Sequence, residues 1–169
     1  ELEQKELLNY QEVDYMASNM YPERLEELSA FYWVKNLFSP YSFVTVTDAF
    51  PLQKLTIPTV SIESITVDGY VFEHGNRNWM RPAAVQINFF AQNKSQRDDF
   101  SYMVFNELKN GIPVYDYNEG FPENGVSPTK INHFEVVSAQ LNKLKIFPEL
   151  VDELYYRAVI DFTAELKQV

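Results

Sequence analysis

Two periodicities share the chain. In YPERLEELSAFYWVKNLFSP, residues 21–40, Leu25, Leu28 and Tyr32 recur at helical spacing with Phe31 beside them. Pro22 suits a first helical position and Glu23 and Glu26 suit the positive end of a helix dipole, so a helix is predicted that ends near Ser39 and Pro40. YSFVTVTDAF then changes to period two, with Val44 and Val46 set against Thr45 and Thr47, and reads as a strand ended by Phe50 and Pro51. IPTVSIESITVDGYVFE keeps strand character, but its apolar phase slips between Ile62 and Ile65, which predicts a bulge or two short strands. Asp68 and Gly69 suit a tight hairpin turn.

Residues 74–82, HGNRNWMRP, are a loop by their Gly, Asn and Pro content. Val85, Ile87 and Phe89 next alternate with Gln86 and Asn88, a strand with one wetter face. Ser95 and Asp98 have the spacing of a capping box, and Phe100, Met103, Val104 and Leu108 form the helical stripe behind it, stopped by Asn110 and Gly111. The stretch 112–130, preceded by Gly111, is rich in Pro and Gly without periodicity and reads as a long loop. INHFEVVSAQLNKLKIF follows as a strand. ELYYRAVIDFTAEL has the cleanest alternation, with Leu154, Tyr156, Ala158, Ile160, Phe162, Ala164 and Leu166 on one face and Arg157, Asp161, Thr163 and Glu165 on the other.

The predicted order is α-β-β-β-α-β-β, which lacks the βα repeat of a doubly wound parallel sheet. The expected fold class is α+β: a mainly antiparallel β-sheet with two helices packed on one face. Nothing marks a linker, so residues 1–169 are expected to form one domain. Within it, residues 1–20, whose Leu7, Leu8, Val13 and Met16 fit no single template, form an N-terminal arm or helix.

Composition narrows the function. Aromatic residues make up 15% of the chain, which is too apolar for intrinsic disorder. Against 14 basic residues stand 24 acidic ones, a formal charge of -10 that repels phosphate backbones and argues against a dedicated nucleic-acid binder. With 0 cysteines there is no thiolate nucleophile and no Cys-based zinc site. No long apolar run offers a membrane span and ELEQKELLNY does not resemble a signal peptide, so a soluble chain of intracellular origin, with no membrane partner, is expected.

Candidate chemistry is sparse. Glu73, His74 and Asn76 lie together, but zinc needs three or four ligands and no such spacing supplies them. His133 falls within a strand, as an ordinary hydrogen-bonded histidine would. Asp98 and Asp99 are adjacent on a helix and do not converge, so a first-turn dipole role explains them better than catalysis. Asp116 and Glu119 in DYNEG lack the ligand pattern of a calcium loop. No nucleophile elbow and no phosphate-binding glycine motif occurs. The expectation is no catalytic, metal or cofactor site. What remains is aromatic residues outside the regular elements: Tyr10, Tyr15, Tyr21, Tyr115, Tyr117 and Phe121. Loop aromatics and Arg commonly mark association, so the protein-contact candidates are Asn76, Arg77 and Trp79 in one loop and Tyr115, Tyr117 and Phe121 in the other.

The succession VTDAF, IPTVSIES, FEHGNRN and AAVQINFFAQNKSQRDDFSYMVFNELKNG, closed by the alternating strand from Tyr155 to Leu166, resembles the tail-terminator or tail-completion (neck) proteins of long-tailed bacteriophages. The matching places are Phe72 to Gly75, Ile87 to Ala91 and Arg97 to Asp99. Residues 1–20 and the loop 112–130 lie outside the likeness. The resemblance implies a virion structural protein and a homo-oligomeric ring, a hexamer, made in the host cytoplasm and placed in the neck or upper tail. Such a ring meets the tail tube protein and the head-tail connector, and viral DNA passes through it without specific binding. Another head-tail joining or tail-tube role is the nearest alternative; a small cytosolic protein-binding module and a hydrolase stand further off.

Overall fold

The structure is a computed structural model that describes residues 19–49, 56–67, 70–71, 79–80, 82–144 and 156–166, with the backbone alone at 66–67, 70–71 and 79–80. The arm or helix expected over residues 1–20 therefore lies outside the described residues up to 18, as do the strand end at Phe50 and Pro51 and the turn at Asp68 and Gly69.

Helix α1 is Pro22–Leu37. Strands β1 (Thr45–Thr47), β2 (Thr59–Val67), β3 (Tyr70–Val71), β4 (Trp79–Met80) and β5 (Ala83–Ala91) precede helix α2 (Lys94–Glu107). Strands β6 (Ile112–Tyr115), β7 (Lys130–Lys143) and β8 (Tyr156–Leu166) complete the chain. Six strands form one sheet in the order β1-β2-β5-β8-β7-β6, and β3 pairs with β4 apart from it. The class is α+β and mostly sheet. The predicted order needs correction, because two extra short strands and β6 intervene and because β1 runs parallel to β2, which makes the sheet mixed. A two-residue ladder is too short to print a periodicity. Strand β6 was hidden by Pro113, which an edge strand tolerates since its missing N–H is not needed there.

The central strands behave as their alternation predicts. Val85, Ile87 and Phe89 of β5 and Ala158, Ile160 and Phe162 of β8 share a buried face with Val60 and Ile62 of β2. Phe100, Val104 and Leu108 of the α2 region and Ala30, Val34 and Phe38 of the α1 region pack into the same core, each large side chain contributing about 1.5–3 kcal/mol by its burial. The register of β2 on β5 shifts between Ser64 and Thr66, so Ile65 is the extra residue the phase slip foretold.

Both helix starts differ from simple expectation. α1 has no side-chain cap, and Arg24 and Leu25 instead donate to the Tyr21 carbonyl from their backbone N–H groups. At α2 the cap is Asn93 rather than Ser95. Its Oδ1 accepts from the Gln96 N–H at 2.9 Å, and Gln96 Oε1 accepts from the Gln92 N–H at 2.9 Å. Asp98 is thereby freed for another task.

α1 also carries two apolar stripes. Ala30 and Val34 face the sheet, whereas the stripe legible in the sequence, Leu25, Leu28 and Tyr32, turns away from it to meet the segment after β6. Ser29 joins the two at β6: its hydroxyl donates to the Leu25 carbonyl at 2.6 Å and accepts from the Tyr115 N–H at 3.0 Å.

Candidate functional site

The segment read as a free loop is folded onto α1. After β6, Asp116 starts a short 3-10 turn at Tyr117–Glu119 by accepting from the Asn118 N–H at 3.1 Å, and a second turn follows at Pro122–Asn124. Glu119 Oε2 accepts from the Thr129 N–H at 2.7 Å and closes the segment on itself. The carboxylates of DYNEG thus hold backbone.

The aromatic side chains of this segment form a second, smaller core. Tyr117 is 3% exposed and stacks on Tyr32, at 4.9 Å between ring centroids, and on Phe121, at 6.0 Å, while Tyr32 and Phe121 lie 6.5 Å apart, so the three rings form a triangle. Tyr115 and Phe121 are half-buried around it. Burial pushes the Tyr117 phenol up to about 12. Above the stack, Glu123 accepts from Lys35 Nζ at 2.5 Å and from the Tyr32 hydroxyl at 2.6 Å. The Lys35 bond first and the Tyr32 bond second hold its carboxyl down at about 2, while Tyr32 is raised by burial and by Glu123. Of the three contact candidates here, Tyr117 is committed to the fold, and Tyr115 and Phe121 offer edges. Asn76 and Arg77 lie outside the described residues; Trp79 is placed by its backbone in β4, paired through Val71.

Of the remaining sequence candidates, His133 and Asp98 are placed by the structure. Glu73 and His74 are outside the described residues. His133 is half-buried on β7 opposite Pro113, against the space left by Gly111. Asp98 accepts from Arg97 Nε at 2.9 Å and lies 3.2 Å from Lys143 Nζ, which in turn donates to the Tyr102 hydroxyl at 2.5 Å. Burial works to raise the Asp98 carboxyl, but the bonds from Arg97 and Lys143 outweigh it and the net shift is downward. This cluster ties α2 to the far end of β7, and because the helix starts at Lys94 neither Asp98 nor Asp99 falls in its first turn, so the dipole role expected of them does not hold. Among the described residues no group of three or more His, Asp or Glu side chains is placed to hold a metal ion, and no helix is long and apolar enough to cross a membrane.

The helix-free face of the sheet carries a polar ladder. Gln86 Nε2 donates to Asp161 at 2.8 Å, Asn88 Nδ2 to Gln86 at 3.2 Å and Arg157 Nη2 to Asn88 at 2.6 Å, with the Arg157 guanidinium 5.2 Å above the Phe90 ring. Beside it, Ile65, Ala84, Gln140 and Thr163 border an open depression of about 490 Å³. Its walls mix apolar side chains such as Ile65, Val85 and Phe162 with polar ones, and among the described residues Asp161 is the one ionisable group that lines it.

One feature escaped the sequence reading. β6 pairs with β7 over Lys130–Phe134 and stops there. Along residues 136–143 β7 is held by β8 on one side, and no strand pairs with its other side among the described residues. The core-facing row of this half is incompletely covered: Val136 and Leu141 are half-buried and Ala139 is exposed. Val137, the extra residue of a bulge between Val136 and Ser138, is 61% exposed, and Tyr102 of α2 is exposed nearby. Periodicity within β7 reports its own two faces, whereas pairing depends on which other strand reaches it, so no local pattern announces an open edge. No family model matches the chain, and no curated protein is significantly similar to it.

Proposed function

We propose that the chain is a ring-forming structural subunit of a bacteriophage neck, a tail terminator that ends the tail tube and joins it to the head connector. It works by assembly in the virion, without turnover. The observation that carries this is the half-open strand β7. Along residues 136–143 no strand pairs with the outer side of β7 among the described residues, and an edge of that length beside an apolar row left half-covered favours completion by another polypeptide. The acidic balance supports the reading, since a ring around moving DNA must not grip it, and 24 acidic against 14 basic residues keep phosphates from adhering. Asp98, Asp116, Glu119 and Glu123 each hold backbone or a neighbouring side chain, which fits a protein whose chemistry is contact.

The test is genetic and structural. Particles assembled without this chain should show heads separated from tails, or tails of uncontrolled length. Normal joined virions in its absence would overturn the assignment. Light scattering on the isolated chain adds a second reading, in which a mass several times that of one chain is expected at high concentration.

A further inference from the structure

The half-open β7 poses the question of what strand completes it. Among the described residues no strand pairs with one side of residues 136–143, and an extended partner would complete it. Its side chains must continue two surfaces at once. On the core side, Val136, Ala139 and Leu141 call for apolar neighbours; on the other side, Ser138 and Gln140 call for polar ones.

The opposite end of the same sheet presents that pattern. β1 is the terminal strand there, paired with β2 on one side and with no strand on the other among the described residues. Val44 and Val46 pack partly against the core, while Thr45 and Thr47 stand on the polar face opposite Thr59 and Ser61. Just before it, Phe43 is 60% exposed, a large apolar side chain beside one edge as Val137 is beside the other. Among the described residues each copy therefore offers β1 at one end of its sheet and, toward the other end, the half of β7 that β6 does not reach.

We infer that the β7 edge of one copy receives the β1 edge of a second copy, extending the sheet from subunit to subunit with its apolar and polar faces in continuity. The contact joins unlike surfaces, so it is heterologous, and such a contact closes into a ring or runs on as a filament. The inference rests on the ring reading for its closure but not for its chemistry.

The absence of cysteine makes the test clean. Two variants of the full chain, Thr45→Cys and Gln140→Cys, place single thiols on the polar face at the two edges. Treated with a short flexible bis-maleimide, a mixture of the two should give linked dimer, and each variant alone should give none above the level of Asn124→Cys, whose thiol sits on an exposed loop turn. Self-linking of Gln140→Cys as efficient as the mixture would overturn the inference in favour of like-with-like pairing of β7. No link in any combination would overturn it as well. Combining Thr45→Cys and Gln140→Cys in one chain separates this contact from the ring: a ladder of linked species that ends at one closed size supports both, whereas an endless ladder keeps the edge contact and overturns the closed ring.

Discussion

The segment after β6 and the outer half of β7 lie close in sequence and behave in opposite ways. The first is crowded with aromatic residues, and the fold absorbs them: Tyr117 is buried against Tyr32 and Phe121, and Glu123 holds the turn above them to Lys35. The second has no aromatic residue between 136 and 143, yet no strand pairs with its outer side among the described residues, and Val137 and Ala139 stand exposed. Aromatic content thus reports how much apolar surface must be buried and says little about where. An edge is an absence of pairing, and pairing is a property of the whole sheet.

The contrast is broken most directly at Tyr117. If its ring belongs to a core, Tyr117→Ala removes a stacked, buried aromatic and lowers stability by about 3 kcal/mol or more, as buried aromatic truncations do. Tyr115→Ala, at the half-buried rim, should cost about 1 kcal/mol. Denaturant unfolding of both variants decides the matter; equal losses would mean that the segment is held by its backbone and the second core is incidental.

Next in size is Gly111, the joint through which α2 passes into β6. Its φ of 70° lies in the left-handed region, and a Cβ there would meet the His133 ring and the Phe134 carbonyl. Gly111→Ala is expected to cost about 2 kcal/mol, within the range for such strain. Adding His133→Ala relieves the ring clash and should recover part of that loss, leaving the backbone share. Full recovery would show that the backbone angle matters little and that the entry into β6 is set by side chains.

What the sequence made legible follows from the range of the forces involved. Alternation in β8 was readable because its two faces differ in burial along most of its length, whereas in β5 they differ only from Ala83 to Ile87, after which both faces are buried and the alternation lies in residue type. The bulge at Ile65 was readable because one extra residue inverts the phase of every residue after it. The stripe of Leu25, Leu28 and Tyr32 correctly signalled a helix, but the natural partner for it, the sheet, was the wrong one. Ala30 and Val34 are small enough to approach the strands, and they left a weaker pattern than the stripe that meets Tyr117. Ser95 lost the cap to Asn93 because both have suitable side chains and the helix begins two residues earlier than the spacing with Asp98 required. Of the contact candidates, Tyr117 was singled out for its type and its loop setting, and the ring beneath which it fits lies 85 residues away by number. The open half of β7 left no mark, for it is defined by where β6 stops.

A smaller effect is expected at Glu123. Its carboxyl is held at about 2 in the folded chain against an ordinary 4.5, so the folded state binds fewer protons than the unfolded one between those values. The stabilisation is therefore present above about pH 4.5 and lost as pH falls toward 2. Glu123 and Lys35 are nearly half exposed, at 49% and 45%, so solvent screening reduces the contribution to about 1 kcal/mol. Glu123→Gln should lower stability by that amount at neutral pH, and the gap between variant and parent should close as pH falls. A gap that stayed constant with pH would assign the effect to the lost hydrogen-bond geometry and remove the charge from the account.

The smallest effect on the fold is expected where the effect on assembly is greatest. Val137 is exposed and sits in the bulge, so Val137→Lys takes little from any core and should change unfolding stability by no more than about 0.5 kcal/mol. A lysine on an unpaired strand is nonetheless one of the devices by which edges are kept from pairing, because docking a second strand beside it requires its ammonium to lose water. If β7 is a subunit contact, light scattering on the folded variant should show the mass of one chain under conditions where the parent shows several. The parallel change on the other region, Phe121→Lys, reverses the order: it places a charge beside Tyr117 and Tyr32, so stability falls while any assembly among the molecules that remain folded is preserved. Should Val137→Lys assemble as the parent does and Phe121→Lys remain folded but monomeric, the roles of the two regions are exchanged, and the aromatic segment is the contact surface after all.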